Sequence, residues 1–232
     1  MSLANMEITT PMDAIVFDCD STLSSVEGID ELARGNQVLD IVQGLTRDAM
    51  GNSGLNPDLY EKRLNLVRPA HLQVMALGQH YIAHQVPDAA VVIQALQRLG
   101  KAIYVVSAGA KLAVEIFAKQ LGVAADCVYA VDFLFTPSGE YVDFDRNSPL
   151  ITGDGKRVII SELKKRHAHI AMIGDGLNDL AAQDLVSRFV GFGGVCVHEK
   201  VEKASQYYVK THSLKAVLPL ILTASEMGLL KL

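Results

Sequence analysis

At 232 residues the chain is long enough for one large domain, or for a domain carrying a smaller inserted one. Half of the residues are hydrophobic and 20% are charged, which excludes wholesale disorder and predicts a sizeable core. With 26 acidic against 21 basic residues the formal net charge is -5, which argues against nucleic acid or an anionic membrane as the main partner.

In chain order, Ala14-Ile15-Val16-Phe17 is the first strand candidate and Ile103-Tyr104-Val105-Val106 the next clear one. Between them the spacing of apolar residues predicts helices over Glu27 to Ala33, Val38 to Met50, Asp58 to Leu66 and His71 to His84. Pro57 suits the first turn of the third. A helical block of about 60 residues exceeds what a parallel crossover needs. We therefore expect residues 1–22 and 85–232 to form a core and 23–84 a helical cap over its strand ends. After the block, Pro87 opens a helix through Leu99, and Lys111 to Leu121 forms the next. Val128 to Phe135 and Glu140 to Phe144 flank Thr136-Pro137-Ser138-Gly139, the pattern of a β-hairpin. Helices are predicted from about Lys156 to Arg166 and from Leu177 to Gln183, with strands at Ile170 to Ile173, Phe189 to Gly191 and Tyr207 to Val209, and a C-terminal helix. The fold class is α/β, a doubly wound parallel sheet with an inserted helical cap and a β-hairpin.

Three apolar runs end in groups that phosphoryl transfer needs. Asp18-Cys19-Asp20-Ser21-Thr22 follows the first, Ser107-Ala108-Gly109 the second, and Gly174-Asp175-Gly176-Leu177-Asn178-Asp179 follows Ile170 to Ile173. Ligands of open α/β sheets bind at the carboxyl ends of strands, where all three segments fall. Asp18 and Asp20 can share one pocket, one carboxylate attacking phosphorus while the other handles the leaving-group proton. Taken alone, the same run reads equally as a helix-capping turn with solvated carboxylates. Asp175 adds a hard oxygen donor of the kind Mg²⁺ prefers, although Gly-Asp-Gly alone is also an ordinary turn. Ser107 can hydrogen-bond a phosphate oxygen, with Gly109 allowing close backbone approach. Lys156, after Gly153-Asp154-Gly155, offers a cation for the transferring phosphoryl group. Elsewhere, His80 and His84 stand four apart without an evident carboxylate partner, and His167 and His169 are expected in solvent.

The order D-x-D-S-T, S-x-G, G-K and G-D-G-x-N-D resembles the haloacid dehalogenase superfamily of phosphatases and, within it, the phosphoserine phosphatase family. Glu27 to Ala33, Leu45 to Gly51, Glu61 to Leu66, Gly139 to Asp145 and Gly191 to Gly194 carry the likeness over nearly the whole chain. The resemblance implies Mg²⁺-dependent hydrolysis of a small phosphomonoester, L-phosphoserine, to serine and phosphate. Asp18 would be the nucleophile and Asp20 the acid and then the base; Ser107 and Lys156 would hold the phosphoryl oxygens. Asp18, the Asp20 backbone and Asp175 would bind Mg²⁺, with Asp179 and Asn178 close by. Glu27 would meet the substrate ammonium and Arg63 its carboxylate, with Met50, Ala108, Gly109 and Asn178 also lining the pocket. Arg supplies the planar fork that matches a carboxylate, and a buried Glu27 would reject substrates lacking an ammonium. Ala108 stands where the family commonly has glycine, Asp88 follows Pro87 where Pro-Gly is usual, and His198 takes the place of a frequent arginine.

The alternatives are phosphoryl transfer to a small alcohol such as homoserine, hydrolysis of another small phosphomonoester, and a Mg²⁺-binding phosphoacceptor or sensor. Cys19, Cys127 and Cys196 lack metal or disulfide spacing and read as reduced thiols. No secretory signal is visible and the longest apolar stretch is too short to span a bilayer, so a soluble, cytoplasmic protein is expected, monomeric or homodimeric.

Overall fold

The computed structural model describes residues 8–52 and 55–230, with only the backbone described for 48–52. Strand β1 (Ala14–Phe17) leads into helices α1 (Gly28–Gly35), α2 (Leu39–Asn52), α3 (Pro57–Val67) and α4 (His71–Ala83). Then come α5 (Ala89–Arg98), β2 (Ala102–Ala110), α6 (Lys111–Gln120), β3 (Val128–Val131), β4 (Phe133–Phe135) and β5 (Tyr141–Phe144). The chain closes with α7 (Gly155–Leu163), β6 (Ile170–Gly174), α8 (Leu177–Leu180), β7 (Arg188–Phe192), α9 (Glu199–Ala204), β8 (Tyr207–Val209), α10 (Leu218–Ile221) and α11 (Ala224–Leu229).

Six strands pair in parallel in the order β3-β2-β1-β6-β7-β8. The chain builds outward from β1 in one direction and from β6 in the other, so the strand order reverses between these two neighbours. That is the switch point where open α/β sheets leave a crevice. The sheet is doubly wound because its strands are apolar on both faces. Ile15 and Phe17 of β1 join Ile103, Val105, Ala171 and Ile173 in one buried cluster, with Val92 and Ile93 of α5, Phe117 of α6 and Leu214. Ala14 and Val16 join Tyr104, Val106, Ile170 and Met172 in the other, against Ile160 and Leu163 of α7. This period-two alternation, doubled, is what a strand covered by helices on both sides requires.

Four expectations are corrected. The predicted strand from Val128 to Phe135 is two strands: β3 pairs with β2, and only β4 turns away to pair antiparallel with β5. The split falls at Asp132, whose carbonyl accepts from the Asp145 amide at 2.8 Å. Strand β2 does not stop at Val106; it runs on to Ala110 through an irregularity between Val106 and Ala110. The C-terminal helix is broken into a single turn at Leu214–Val217, then α10, then α11. Thr223 causes the last break, accepting from the Glu226 amide at 3.2 Å and so capping a new helix. Asp88 sits in the left-handed region at φ 68°, so the helix after Pro87 begins at Ala89. No helix is long and apolar enough to cross a membrane among the described residues.

The two chain crossings between β1 and α1 and between α4 and α5 run side by side. The Val86 amide donates to the Leu23 carbonyl at 2.8 Å and the Ser25 amide to His84 at 2.9 Å. Helix α4 also docks on α6, where a Cβ on Gly78 would lie 2.8 Å from Ile116 Cβ and 3.1 Å from the Ala113 carbonyl oxygen. Overfilling such a contact costs about 1–3 kcal/mol. We expect Gly78→Leu to lower the urea unfolding free energy by about that amount, read from the midpoint at unchanged slope.

Candidate active site

The turn that leaves β1 is fixed by its own backbone. The amides of Thr22, Leu23 and Ser24 all donate to the Cys19 carbonyl, at 3.4, 3.0 and 3.0 Å, and Ser21 takes a left-handed conformation, φ 53°. The Asp18 amide donates to the Ile173 carbonyl at 3.0 Å, locking the end of β1 to that of β6. Asp18 and Asp175, each one residue past its strand, therefore stand side by side at the switch point.

Lys156, the second residue of α7, is 1% exposed although lysines at helix starts ordinarily reach solvent. Its Nζ lies 2.5 Å from Asp18 Oδ1 and donates to Asp179 Oδ1 at 2.7 Å. Burial opposes this charge, but Asp179 and Asp18 outweigh it and hold the ammonium above the usual lysine range. The other oxygen of Asp179 accepts from the Gly176 amide at 3.0 Å. Gly174 is needed for this approach, since a Cβ there would meet Asp179 Cγ at 2.2 Å.

The carboxylates outnumber the cation. Burial, then the charge of Asp18, pushes Asp179 up to about 7. The same two causes, with Asp179 next, raise Asp175 well above the usual carboxylate range. Among the described residues Asp175 accepts only a long bond from the Thr22 hydroxyl, at 3.3 Å. Asp18, Asp175 and Asp179 each present an oxygen within 4.8 Å of the others. Three hard oxygen donors answered by one ammonium fit a small divalent cation.

The irregularity in β2 places the second motif. Ala130 of β3 stands opposite three residues, Ser107 to Gly109, so this segment bulges out of the ladder. Its freed backbone groups find other partners: the Gly109 amide donates to Ser107 Oγ at 2.9 Å, and the Ala108 carbonyl accepts from Tyr60 at 2.9 Å. Ser107 in turn donates a long bond, 3.4 Å, to Asp20 Oδ2. Asp20 Oδ1 accepts from the Tyr81 hydroxyl at 2.7 Å and from the Gly28 amide at 2.8 Å. Burial, then Asp18, pushes the Asp20 carboxyl up to about 6.

A cavity of about 590 Å³ connects these groups. It is lined by Asp18, Asp20, Lys156 and Asp175 at the strand ends, and by Glu27, Tyr60 and Arg63 from the helical block. Ala108, Gly109 and Asn178 also line it; Ser107 borders it through Asp20. The side chain of Met50 lies outside the described residues. Arg63 donates a long bond to Thr46 at 3.5 Å, while its Nε is shut off from water with no partner among the described residues. Glu27 is not buried, contrary to the sequence-based expectation: it stands exposed just before α1 and accepts from Ser21 at 2.6 Å. The surrounding protein and then the Asp20 charge raise its carboxyl, and water reaching the side chain screens much of that rise.

Two tyrosines were not singled out in the sequence. Tyr60 and Tyr81 fall on the apolar faces of their helices, where an aromatic reads as core, and no motif marks their hydroxyls. Cys19, free and buried, is pushed well above its ordinary range by burial and then Asp20, so it is no thiolate. Glu31 lies 3.8 Å from His80, a carboxylate neighbour the linear spacing did not reveal. His167 is half-buried against the Tyr104 hydroxyl at 2.8 Å and not in free solvent.

Residues 12–182 match the family model described as haloacid dehalogenase-like hydrolase. The chain is similar to phosphoserine phosphatase of Homo sapiens, 35% identical over 199 residues that cover 85% of this chain and 88% of that one. It is also similar to that of Drosophila melanogaster, 36% identical over 202 residues, 84% of this chain and 73% of the other. Among solved structures, a phospho-aspartyl intermediate analogue of phosphoserine phosphatase superposes with a TM-score of 0.79 at 24% identity, over 91% of this chain and all of that one.

Lys156 leaves a clear mark on stability. Removing one partner of a buried ion pair costs about 3–5 kcal/mol, because the remaining charge stays uncompensated. We expect Lys156→Met to lose about that much in urea unfolding at pH 8 in EDTA. The loss shrinks at pH 5, because Asp179, already raised to about 7, protonates there and no longer needs a cation.

Proposed function

Because the chain belongs to the haloacid dehalogenase-like hydrolases, we propose that it hydrolyses L-phosphoserine to L-serine and phosphate through an aspartyl phosphate on Asp18. The observation that carries this reading is the placing of Asp18, Asp20, Lys156 and Asp175 in one cavity with Arg63. The resemblance to animal phosphoserine phosphatases supports the substrate.

Asp18, paired with Lys156, attacks phosphorus; the bond from phosphorus to the seryl oxygen breaks as Asp20 gives that oxygen its proton. Water then attacks the aspartyl phosphate, Asp20 takes a proton from it, and phosphate leaves with Asp18 restored as a carboxylate. A carboxyl pushed up to about 6 suits both halves near neutral pH, since it is neither permanently charged nor permanently protonated. Lys156 and Ser107 meet the phosphoryl oxygens. Asp18, the Asp20 backbone and Asp175 would hold Mg²⁺, which would supply positive charge against that developing on the phosphoryl group.

The residues 23–84 act as the substrate-facing cap over a core of 1–22 and 85–232. Arg63 receives the substrate carboxylate, its orphaned Nε supplying a donor that a carboxylate would satisfy. Glu27, which lines the cavity and is exposed, meets the ammonium in partly solvated form, so its contribution to selection is smaller than that of a buried carboxylate. Asn178 completes the pocket. Three free cysteines support the reducing, cytoplasmic setting that goes with this reading.

The test is phosphate release from L-phosphoserine, phosphothreonine and p-nitrophenyl phosphate, with Mg²⁺ or EDTA. Mg²⁺-dependent preference for phosphoserine, lost in Asp18→Asn, is the expected outcome; release from the aryl ester alone would retain the chemistry and discard the substrate. Arg63→Lys should raise KM for phosphoserine about tenfold or more, because an ammonium cannot supply the bidentate fork, and leave the aryl ester nearly unaffected.

A further inference from the structure

Asp20 is gripped from one side only. Both close donors, the Tyr81 hydroxyl at 2.7 Å and the Gly28 amide at 2.8 Å, go to Oδ1. Among the described residues Oδ2 has only the long 3.4 Å bond from Ser107, the residue assigned to a phosphoryl oxygen, and lies toward Gly109. The two donors come from two different helices of the inserted block, α1 and α4, while Asp20 belongs to the turn after β1.

The grip is built rather than incidental. Tyr81 is fully buried, with its ring 5.9 Å from that of Phe117 on α6, so the hydroxyl is delivered by a side chain that cannot swing. Gly28 is shaped around it: a Cβ there would lie 2.1 Å from the Tyr81 oxygen and 3.2 Å from Asp20 Oδ1. One turn before Tyr81, Gly78 lets α4 sit against Ile116 of α6. The helix carrying the phenol is thereby fixed to the same layer that supports β2.

We infer that Tyr81 is the positioning residue of Asp20: with the Gly28 amide it occupies Oδ1 and leaves Oδ2 as the oxygen that gives and takes the proton. A tyrosine hydroxyl has one hydrogen, and here it is spent on Oδ1. An Asp20 proton on Oδ1 would have to compete with two donors already pointing at that oxygen. On Oδ2 it meets only the hydroxyl oxygen of Ser107 and the cavity. Without the phenol, only the Gly28 amide holds Oδ1, and rotation about the last bond lets the two oxygens exchange roles more readily. Tyr81 touches neither phosphorus nor substrate; it acts through Asp20.

This inference rests on the phosphoryl-transfer reading, and two substrates separate its failure from that of the reading. Tyr81→Phe removes one oxygen and keeps the ring packed on Phe117. The seryl alkoxide needs a proton to leave, whereas p-nitrophenolate leaves unaided. With L-phosphoserine, kcat should fall about tenfold or more while KM stays within about twofold, the scale of a misplaced catalytic group. With p-nitrophenyl phosphate, rapid mixing should give a burst of nitrophenol approaching one equivalent per chain, at the wild-type burst rate, followed by slow turnover. The first half-reaction needs no acid there, and the second still needs Asp20 as a base. An unchanged kcat, or burst and steady rates falling by one common factor, would overturn the assignment and leave Tyr81 a packing residue. Wild-type protein that ignores phosphoserine but turns over the aryl ester through Asp18 refutes the substrate, and the burst alone then decides on Tyr81. Wild-type protein inert toward both esters overturns the inference together with the reading.

Discussion

The ammonium of Lys156 stands between Asp18 Oδ1 at 2.5 Å and Asp179 Oδ1 at 2.7 Å, and the organisation of the strand ends depends on it. Three elements meet there: the turn after β1, the helix after β6, and the first turn of α7. A lysine this deeply buried is stable only because two carboxylates answer it, and neither carboxylate could be so enclosed without it. The arrangement sits where the strand order reverses, the one place on a doubly wound sheet where no crossover helix covers the strand ends. Topology opens the crevice, and the ion triad decides which charges can be kept inside it.

The triad also leaves a surplus. Asp18 and Asp179 use the lysine, so Asp175 and Asp20 are held near them with hydroxyl and amide donors only. Burial first, and then the Asp18 charge, raises both carboxyls. For Asp175 the natural relief is a divalent cation, since its neighbours at the site are hard oxygens. For Asp20 the relief is a proton, since its donors are uncharged and its outer oxygen opens on the cavity. One crowded set of like charges thus yields two differently behaving carboxyls, set apart by which partner each one lacks.

The strand ends were legible in the sequence because their chemistry restricts residue type. Asp-x-Asp and Gly-Asp-Gly are each ordinary turns when taken alone, but their joint occurrence after apolar runs is restrictive, and β1 and β6 lie where the periodicity puts them. The helices of 23–84 were legible to within a few residues for the same reason of period. What the linear pattern concealed was geometry decided across strands. The bulge at 107–109 exists because three residues of β2 oppose one of β3, and nothing within the three records that count. The switch of the chain from β3 to β4 at Asp132 is likewise invisible in a continuous apolar run. Glu27 reads as a binding residue by position in a motif, yet its exposure depends on its place just before α1, which the motif does not record.

Tyr60 and Tyr81 are the sharpest case, since each looks like core and each ends in a polar contact. The bulge in β2 strips the Ala108 carbonyl of its ladder partner, and Tyr60 supplies the missing donor from α3. The turn after β1 carries a carboxylate needing an anchor, and Tyr81 supplies it from α4. Each bond is worth only about 0.5–1.5 kcal/mol net, because the groups would otherwise bond to water. Two such bonds are too weak to hold the helical block onto the core by themselves, and strong enough to bias where the strand-end groups point. The phenolic ring pays the larger share of helix packing through its buried area, which leaves the hydroxyl free to be placed by function. An aromatic at a core position therefore carries two independent pieces of information, and only the first is written in the hydrophobic pattern.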